Sequence, residues 1–185
     1  MFPARTRFVL LPLGGLALLF LALLPRLAWV PDDEMAPSFL PGDLVLLLPV
    51  EAHAGDVVAV VDPLDPSRWT LRRVETIGGA VRYTDGEIHT TDLDKPALLE
   101  MGRSTDAVVL KENRHLTQLS PRPVRWSMEE IAVPDDRMFL SADARDLALD
   151  SRWWGPAPLD VVQGVVVARV GPAHTWRGWF ELFFS

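Results

Sequence analysis

The feature that most limits how this chain can fold is an apolar run near its start. Phe8–Pro25, FVLLPLGGLALLFLALLP, contains no charged residue. At about 1.5 Å per residue, a helix of this run is roughly 27 Å long, close to the hydrocarbon thickness of a bilayer. The sequence therefore predicts a helix that spans a membrane, and it leaves the residues after this helix to form the folded domain.

The charges around the run predict its orientation. Arg5 and Arg7 precede it and the acidic stretch Asp32–Glu34 follows it, so the positive-inside rule places the N-terminus in the cytoplasm and the main domain outside. Trp29 is expected at the membrane interface. A cleaved signal peptide is the alternative, but the run is long for one and no small-x-small cleavage site follows. We expect residues 1–30 to be an uncleaved anchor, crossing the cytoplasmic (inner) membrane once with the lipid bilayer as a partner.

The rest of the chain is patterned as short strands. The runs are β-branched or alternate between apolar and polar residues, and Gly, Pro and Asp separate them. Sixteen prolines suit such a chain. A mostly β domain of coiled or closed sheets is therefore expected over residues 31–175. The predicted strands are Leu44–Leu48, Val57–Val61, Thr70–Ile77, Gly86–Thr90, Ala107–Thr117, Arg137–Leu140 and Val161–Val170.

Other local patterns add detail to this prediction. Asp85-Gly86, between VRYT and EIHTT, is typical of a hairpin turn. Lys95–Arg103 and Met128–Ile131 are each expected to give at most a turn or two of helix. The aromatic C-terminal tail, residues 176–185, has two charges and is too short to span a membrane. It is expected either in the membrane interface or as a final strand or turn on the domain.

Composition argues against several kinds of function. The net charge of −7 makes a nucleic-acid partner unexpected. The absence of cysteine excludes disulfides, thiolate metal sites and cysteine nucleophiles. The histidines lack the spacing of metal ligands, so neither a metal nor another cofactor is expected. They are His53, His89, His115 and His174.

Three sequence boxes follow the apolar run in order. The first is Met35-Ala36-Pro37-Ser38-Phe39 with Gly42-Asp43, the second is Leu71-Arg72-Arg73-Val74 with Gly78-Gly79, and the third is Phe139–Gly155. They resemble the Ser-Met-x-Pro-Thr-Leu…Gly-Asp, Lys-Arg-Val…Gly and Gly-Asp-Asn-Arg-x-x-Ser-x-Asp-Ser-Arg-x-x-Gly boxes of type I signal peptidases, the serine/lysine leader peptidases.

The resemblance extends from the anchor to about Val170. Residues 92–134 match least, and they fall where the family carries a variable insert. The fold that the resemblance implies is a signal-peptidase-like coiled β-sheet or barrel behind one transmembrane helix.

The resemblance also implies where the chemistry would be carried. In the family a serine is the nucleophile and a lysine is its general base, because a hydroxyl is a weak nucleophile without a base in hydrogen-bond reach. The nucleophile position is Glu34, the base position is Arg72, and the serine that orients the lysine falls on Ala148. The side-chain oxyanion donor of some members falls on Asp32, and Ala142 and Ala144 replace a family glycine and asparagine.

None of these residues can do the family's chemistry. Glu34 has no hydroxyl to activate, arginine at position 72 stays protonated and cannot act as a base, and Asp32 would repel an oxyanion. No catalytic residue is therefore intact, and we expect an inactive homologue. Glu34 and Arg72 are instead predicted to form a partly buried ion pair. The alternative is that both are solvated surface charges.

Ser38 is the nearest remaining hydroxyl and leaves a second interpretation open. The chain would then be an active membrane serine endopeptidase that removes signal peptides with a non-standard site. Such a serine needs a base, and the two lysines of the chain, Lys95 and Lys111, lie outside the boxes. Independently of catalysis, Met35, Pro37 and Ser38 are expected to border a groove for an extended peptide.

Several charged residues of the third box are retained. The resemblance assigns them to the scaffold near the cleft, with Asp and Arg in ion pairs and the serine hydrogen-bonded to the loop. They are Asp143, Arg145, Asp150, Ser151 and Arg152. We therefore expect a binding or accessory module for exported polypeptides, with exported preproteins or an active signal peptidase as partners. An enzyme, and a purely structural β domain that makes oligomer contacts, are the other classes left open.

Overall fold

The computed structural model describes residues 26–84, 87–91, 99–103, 108–112, 115–119 and 127–171. The predicted anchor, the Asp85-Gly86 turn and the aromatic tail lie outside these ranges. Within them, no helix is long and apolar enough to cross a membrane.

Antiparallel strands make up most of the described structure, so the mostly β prediction is confirmed. The described strands are β1 (Arg26–Trp29), β2 (Leu44–Leu48), β3 (Val57–Val61), β4 (Trp69–Ile77), β5 (Ala80–Thr84), β6 (Glu87–Thr90), β7 (Leu99–Arg103), β8 (Val108–Glu112), β9 (His115–Leu119), β10 (Ser127–Ala132), β11 (Arg137–Ser141), β12 (Ala157–Pro158) and β13 (Val162–Gly171). A four-residue helix, α1 (Ser151–Trp154), follows β11, and a 3₁₀ turn, Leu159–Val161, precedes β13.

The main sheet has seven strands in the order β1-β2-β13-β3-β4-β11-β12. Two smaller sheets have the orders β10-β5-β6 and β7-β8-β9. Strand β4 pairs with β3 along Trp69–Arg73, but it pairs with β11 only along Arg73–Ile77. Among the described strands, residues 69–72 of β4 therefore have a neighbour on one side alone.

The two faces of the main sheet pack into two different hydrophobic clusters. Because side chains alternate along a strand, Val57 and Ala59 of β3 lie in one cluster, while Val58 and Val60 lie in the other. A strand covered on both faces is expected to be apolar throughout, and VVAVV of β3 has that pattern. The first cluster also contains Val30, Met35, Val45, Leu47 and Leu71, and the second contains Ala52, Val74, Met138, Leu140, Ala157 and Val165.

Most predicted strands are present within a residue or two of their predicted ends. Leu44–Leu48 and Val57–Val61 match β2 and β3. The predicted hairpin is confirmed, because β5 and β6 pair antiparallel with Thr84 opposite Glu87. The single strand predicted at Ala107–Thr117 is instead two paired strands, β8 and β9.

The helical turn predicted at Met128–Ile131 is wrong, and so is the described part of the one predicted at Lys95–Arg103, whose first four residues lie outside the described ranges. Leu99–Arg103 is strand β7, paired with β8, and Ser127–Ala132 is strand β10, paired with β5. Pairing with a neighbouring strand outweighs the weak local preference of such short segments. Strand β1 was not predicted either, and the sheet begins with it at Arg26, before the predicted boundary at residue 31. Trp29 of β1 is 53% exposed, and its place in a membrane interface stays a prediction.

Tyr83, the one tyrosine of the chain, reports on the β10-β5-β6 sheet. It is 2% exposed in a cluster with Val81, Ile88 and Phe139. Burial raises the pKa of its hydroxyl, and the positive charges of the nearby arginines offset this only in part. Tyr83 therefore ionises at a lower pH in the unfolded chain than in the folded protein. The stability that its buried, neutral hydroxyl contributes is complete below about pH 10, and it is lost as the pH rises from there through the folded pKa.

We predict that tyrosinate absorbance will rise at higher pH in the folded protein than in the denatured protein, which should titrate near pH 10. The measurement is a near-ultraviolet pH titration with and without guanidinium. A Tyr83→Phe variant should lose the transition in both states. A folded-state transition at the ordinary tyrosine pKa would contradict the burial of this side chain.

Candidate functional site

The segment between β1 and β2 holds Glu34 beside the main sheet. Its two ends are tied by backbone hydrogen bonds of 2.8 Å, from Val30 N to Asp43 O and from Gly42 N to Val30 O. Gly42 adopts a φ of 82° at this turn, which a glycine reaches without steric cost. The carbonyl of Glu34 accepts a hydrogen bond from the backbone N–H of Ala144 at 2.9 Å. The backbone of Glu34 is thus fixed to the segment that follows β11.

Glu34 and Arg72 form the predicted ion pair. Arg72 Nη2 lies 2.6 Å from Glu34 Oε2, and the side chains are 3% and 23% exposed, respectively. The alternative of two solvated charges is therefore wrong. The guanidinium is buried, and the carboxylate reaches solvent at its edge.

Three further acceptors hold the guanidinium of Arg72. Its Nη1 donates to Thr70 Oγ1 at 2.8 Å and to the carbonyl of Leu71 at 2.7 Å, and its Nη2 donates to the carbonyl of Leu149 at 3.2 Å. Its buried Nε has no hydrogen-bond partner among the described residues. The side chain is thus oriented by β4 and by the loop before α1.

Thr70 brings a second carboxylate into the site. Its Oγ1 lies 3.2 Å from both Asp32 Oδ2 and Glu34 Oε2, and it has one proton to donate to either of them. Arg68 Nη2 lies 3.7 Å from Asp32 Oδ2. The sequence interpretation missed Thr70. One sequence feature could have identified it: Thr70 lies two residues before Arg72, and this spacing puts both side chains on one face of a strand.

The geometry of this cluster suits charge pairing better than proton transfer. The arginine is a donor only, and a carboxylate and two carbonyls hold it in place. Ala148, at the position that the resemblance gives to an orienting serine, is buried and has no polar side-chain atom. The assignment of Glu34, Arg72, Ala148 and Asp32 to family positions stays a prediction.

The neighbouring arginine of β4 forms a second pair, which is buried on both sides. Arg73 Nε and Nη2 donate to the two carboxylate oxygens of Asp143 at 2.8 and 2.7 Å. Burial by itself would lower the pKa of Arg73, but the hydrogen bonds and charge of Asp143 raise it on balance. The pair joins β4 to the loop after β11, and sequence reasoning did not assign Arg73 as the partner.

A third pair lies within that loop. Arg152 Nε and Nη2 donate to the two oxygens of Asp150, each at 2.7 Å, and Ala142 N donates to Asp150 Oδ2 at 2.9 Å. Burial opposes the charge of Arg152, yet Asp150 raises its pKa. Ser151 Oγ accepts a hydrogen bond from the backbone N–H of Leu140 at 3.0 Å. The expected ion pairing and serine hydrogen bond of the third box are thus present.

Arg145 forms a further ion pair between this loop and β4. Its Nη2 lies 3.5 Å from Glu75 Oε1, and Ser141 Oγ donates to the same oxygen. Glu75 is a further partner that the sequence did not indicate. The loop is also tied to β9, because Gln118 N donates to the Asp143 carbonyl at 2.8 Å and Arg145 N donates to the Gln118 carbonyl at 3.0 Å.

The three residues expected along a peptide groove do not share one environment. Met35 is fully buried in the first hydrophobic cluster, while Pro37 and Ser38 are half-buried. Ser38 Oγ donates to the carbonyl of Leu116 at 3.4 Å. An open cavity of about 430 Å³ lies beside Ser38, and none of its described lining residues is a lysine or histidine. They are Ser38, Phe39, Gly55, Asp56, Val57, Arg73, Leu116 and Val166.

His53 and His89 each lie beside a carboxylate. His53 Nδ1 is 3.7 Å from Asp56 Oδ2 with a side chain 75% exposed, and His89 Nε2 is 3.5 Å from Glu87 Oε2. In the part of the chain that the structure describes, no three His, Asp or Glu side chains are grouped to hold a metal ion. His174 lies outside the described residues.

Comparison with known proteins gives consistent matches. The family model described as signal peptidase, peptidase S26, matches residues 4–171. A probable signal peptidase I-1 of Synechocystis sp. is 25% identical over 175 residues, which cover 88% of this chain and 78% of that protein. A crystal structure of a signal peptidase I from Enterococcus faecalis aligns with a TM-score of 0.41 and 15% identity, covering 64% of this chain and 98% of that one.

We predict that Glu34→Ala will lower the free energy of unfolding by about 3 kcal/mol. This is the lower end of the cost of breaking a buried pair, because the Glu34 carboxylate reaches solvent. The double variant Glu34→Ala/Arg72→Met should lose less than the sum of the single variants, since no unpaired charge remains buried. Chemical denaturation followed by tryptophan fluorescence measures all three.

Asp33→Ala is the matched control. Asp33 is exposed and adjacent to Glu34 in sequence, so its loss should change stability by no more than about 0.5 kcal/mol. Equal effects at positions 33 and 34 would show that the pair does not stabilise the fold.

Proposed function

Because the chain belongs to the signal peptidase family, peptidase S26, we propose that it is a member without serine/lysine peptidase activity. On this proposal it is anchored in the cytoplasmic membrane by Phe8–Pro25, and its β domain lies on the extracytoplasmic side. There it acts as a binding or accessory module for exported polypeptides, either preproteins themselves or an active signal peptidase that processes them.

The observation that carries the proposal is the Glu34–Arg72 pair. At these positions the family resemblance requires a serine hydroxyl and a lysine amine that can lose its proton. Here a carboxylate lies 2.6 Å from a buried guanidinium. The guanidinium cannot accept a proton at neutral pH, and the carboxylate has no hydroxyl to attack a peptide bond. On the assignment that the resemblance implies, the pair stands at the position of the dyad and lacks the dyad's chemistry.

The half-edge of β4 at residues 69–72, which pairs with no second strand among those described, supports the binding role. Val74 N and O both face the β3 side, where they bond Asp56 O and Gly55 N. Because these groups alternate along an antiparallel strand, the N–H and C=O of Trp69 and Leu71 face the side away from β3. A peptide in extended conformation can add there as a strand.

The same edge lies against the ion pair. Arg72 Nη1 already donates to the Leu71 carbonyl, which keeps a second lone pair for a peptide N–H. A peptide on this edge would therefore pass directly over Arg72 and the partly exposed Glu34 carboxylate. The retained Arg73–Asp143 and Arg152–Asp150 pairs hold the strand and the loop that frame this edge.

The alternative, a peptidase that uses Ser38, has less support. Ser38 lines an open cavity, as a nucleophile would. Its hydroxyl donates to a backbone carbonyl instead of a base, and the described lining residues offer no lysine or histidine. His53 contacts Asp56 of this cavity but is not among the lining residues.

We predict that the purified protein in detergent micelles will not cleave a preprotein and that Glu34→Ser/Arg72→Lys/Ala148→Ser will. The three changes restore the nucleophile, the base and the orienting serine that the resemblance places there. Cleavage is followed by the appearance of the mature protein. Glu34→Ala/Arg72→Lys/Ala148→Ser is the matched control and should stay inactive, since it lacks only the hydroxyl.

Two results would count against the proposal. Cleavage by the wild-type protein that Ser38→Ala abolishes would establish an active enzyme with a shifted nucleophile. A folded triple variant that fails to cut would contradict the assignment of these positions to the family dyad.

We further predict that the wild-type protein binds a fluorescent peptide with the sequence of a signal-peptide cleavage region, measured by anisotropy. N-methylation of one peptide nitrogen that pairs with the β4 edge should weaken binding about tenfold, because it removes one backbone hydrogen bond. Methylation of the adjacent nitrogen, which points away from the edge, is the control and should leave binding unchanged. Equal losses would exclude strand addition.

A further inference from the structure

The open cavity beside Ser38 lies where the first sequence box meets the start of β3 and the strands β4, β9 and β13. Its volume of about 430 Å³ falls within the range of about 300–1,000 Å³ in which proteins bind small ligands. Val57 and Arg73 lie opposite each other in the β3–β4 ladder, so they face the same side of the sheet. Because neighbouring side chains of a strand alternate, Arg72 faces the other side. The cavity is therefore separate from the Glu34–Arg72 pair.

Strand β9 supplies one wall of the cavity through Leu116. This wall is fixed, because Gln118 N donates to the Asp143 carbonyl at 2.8 Å and Arg145 N donates to the Gln118 carbonyl at 3.0 Å. Ser38 Oγ also donates to the carbonyl of Leu116 at 3.4 Å. Strand β9 belongs to residues 92–134, the segment that resembles the family least. The ligand of this cavity therefore need not be one that the family shares.

Asp56 carries the unbalanced charge of the cavity. Arg73 donates from Nε and Nη2 to the carboxylate of Asp143 and from Nη1 to the carbonyl of Gly55 at 2.9 Å, so its positive charge is already matched. The Asp56 side chain is 38% exposed, and its Oδ2 accepts the backbone N–H of His53 at 2.8 Å. No described residue donates a hydrogen bond to its Oδ1, and no described lysine or arginine pairs with it.

The other described walls of the cavity are mainly apolar. The apolar lining residues are Phe39, Val57, Leu116 and Val166. Arg169 contacts the Ser38 carbonyl nearby, but its Nη1 also lies 3.4 Å from Asp43 Oδ2, so this cation has a carboxylate of its own. Long cationic side chains bury an aliphatic stem along apolar surface and keep the charged head at a polar group. An aliphatic chain that ends in an ammonium matches both features of the cavity.

We propose that this cavity binds an alkylammonium group, the chemistry of a lysine side chain, with the stem against the apolar walls and the ammonium at Asp56. An anion is disfavoured, because Asp56 repels it and Arg73 is engaged by Asp143 and Gly55. That the lysine belongs to an exported polypeptide rests on the proposed function, while the selectivity of the cavity for the cation does not. On this proposal the module prefers exported polypeptides that carry a lysine.

Titration with blocked amino acids tests the cavity without a polypeptide. The isotopically labelled full chain is held in detergent micelles, and the amide resonances of Gly55 and Asp56 are followed as the acetylated methylamide of lysine, norleucine or glutamate is added. Asp56→Asn removes the charge and keeps an acceptor for the N–H of His53. Asp62→Asn is the matched control, because Asp62 accepts the N–H of Leu64 at 2.8 Å and is not among the described lining residues.

The lysine compound should bind about fivefold more tightly than the norleucine compound, which has the same stem without the ammonium. Asp56→Asn should remove this difference and Asp62→Asn should preserve it. Equal binding of the two compounds, or unchanged resonances at Gly55 and Asp56, would overturn the proposal. Tighter binding of the glutamate compound would overturn it in favour of an anion site at Arg73.

A second measurement identifies the source of the lysine. The fluorescent peptide of the cleavage region is prepared with lysine or with norleucine at each position in turn, and binding is measured by anisotropy. At one position the lysine peptide should bind about fivefold more tightly, and Asp56→Asn should remove this gain. If no position shows a gain while the lysine compound still binds, a free amine replaces the polypeptide as the ligand. If no peptide binds at all, the proposed function fails and the selectivity of the cavity stands.

Discussion

The structure depends on how strand β4 buries three charged side chains. Arg72, Arg73 and Glu75 are 2%, 7% and 7% exposed in the interior of a seven-stranded sheet. A buried charge without a partner costs several kcal/mol, so the strand is stable only when its counterparts are in place. Glu34 comes from the segment before β2, while Asp143 and Arg145 come from the loop after β11. The stability of β4 in the sheet is therefore coupled to the placement of these two segments.

The buried ion pairs fall into two groups: those that hold the scaffold, and the one at the predicted position of the catalytic residues. The Arg73–Asp143 and Arg152–Asp150 pairs are two-point contacts between buried groups, and they keep the loop and the strand in one relative position. The Glu34–Arg72 pair uses the same physical interaction at a different place, where the family resemblance expects a neutral base. On the proposed assignment, charge pairing stands at the position of acid–base chemistry, while the ion pairs of the scaffold are present beside it.

Local sequence patterns predicted many of the strands, but they missed the elements and contacts that depend on tertiary pairing. Apolar runs bounded by Gly, Pro and Asp identified β2 and β3, and the hairpin signal identified β5 and β6. Strands β7 and β10 read as weak helix because their pairing partners, not their own residues, decide their conformation. The Glu34–Arg72 pair followed from charge complementarity at two matched positions. The contacts of Thr70, Arg73 and Glu75 were not predicted, because neither local pattern nor the resemblance assigned these residues a partner.

The buried pair also limits how this chain can change over generations. A single substitution of serine at position 34 leaves the guanidinium of Arg72 buried without its carboxylate. A single substitution of lysine at position 72 places a more strongly hydrated cation beside Glu34, without the planar fork that contacts Thr70 and Leu149. Each substitution by itself therefore removes part of what holds the buried pair. The two positions can change at low cost only together, so the identity of residue 34 is coupled to that of residue 72.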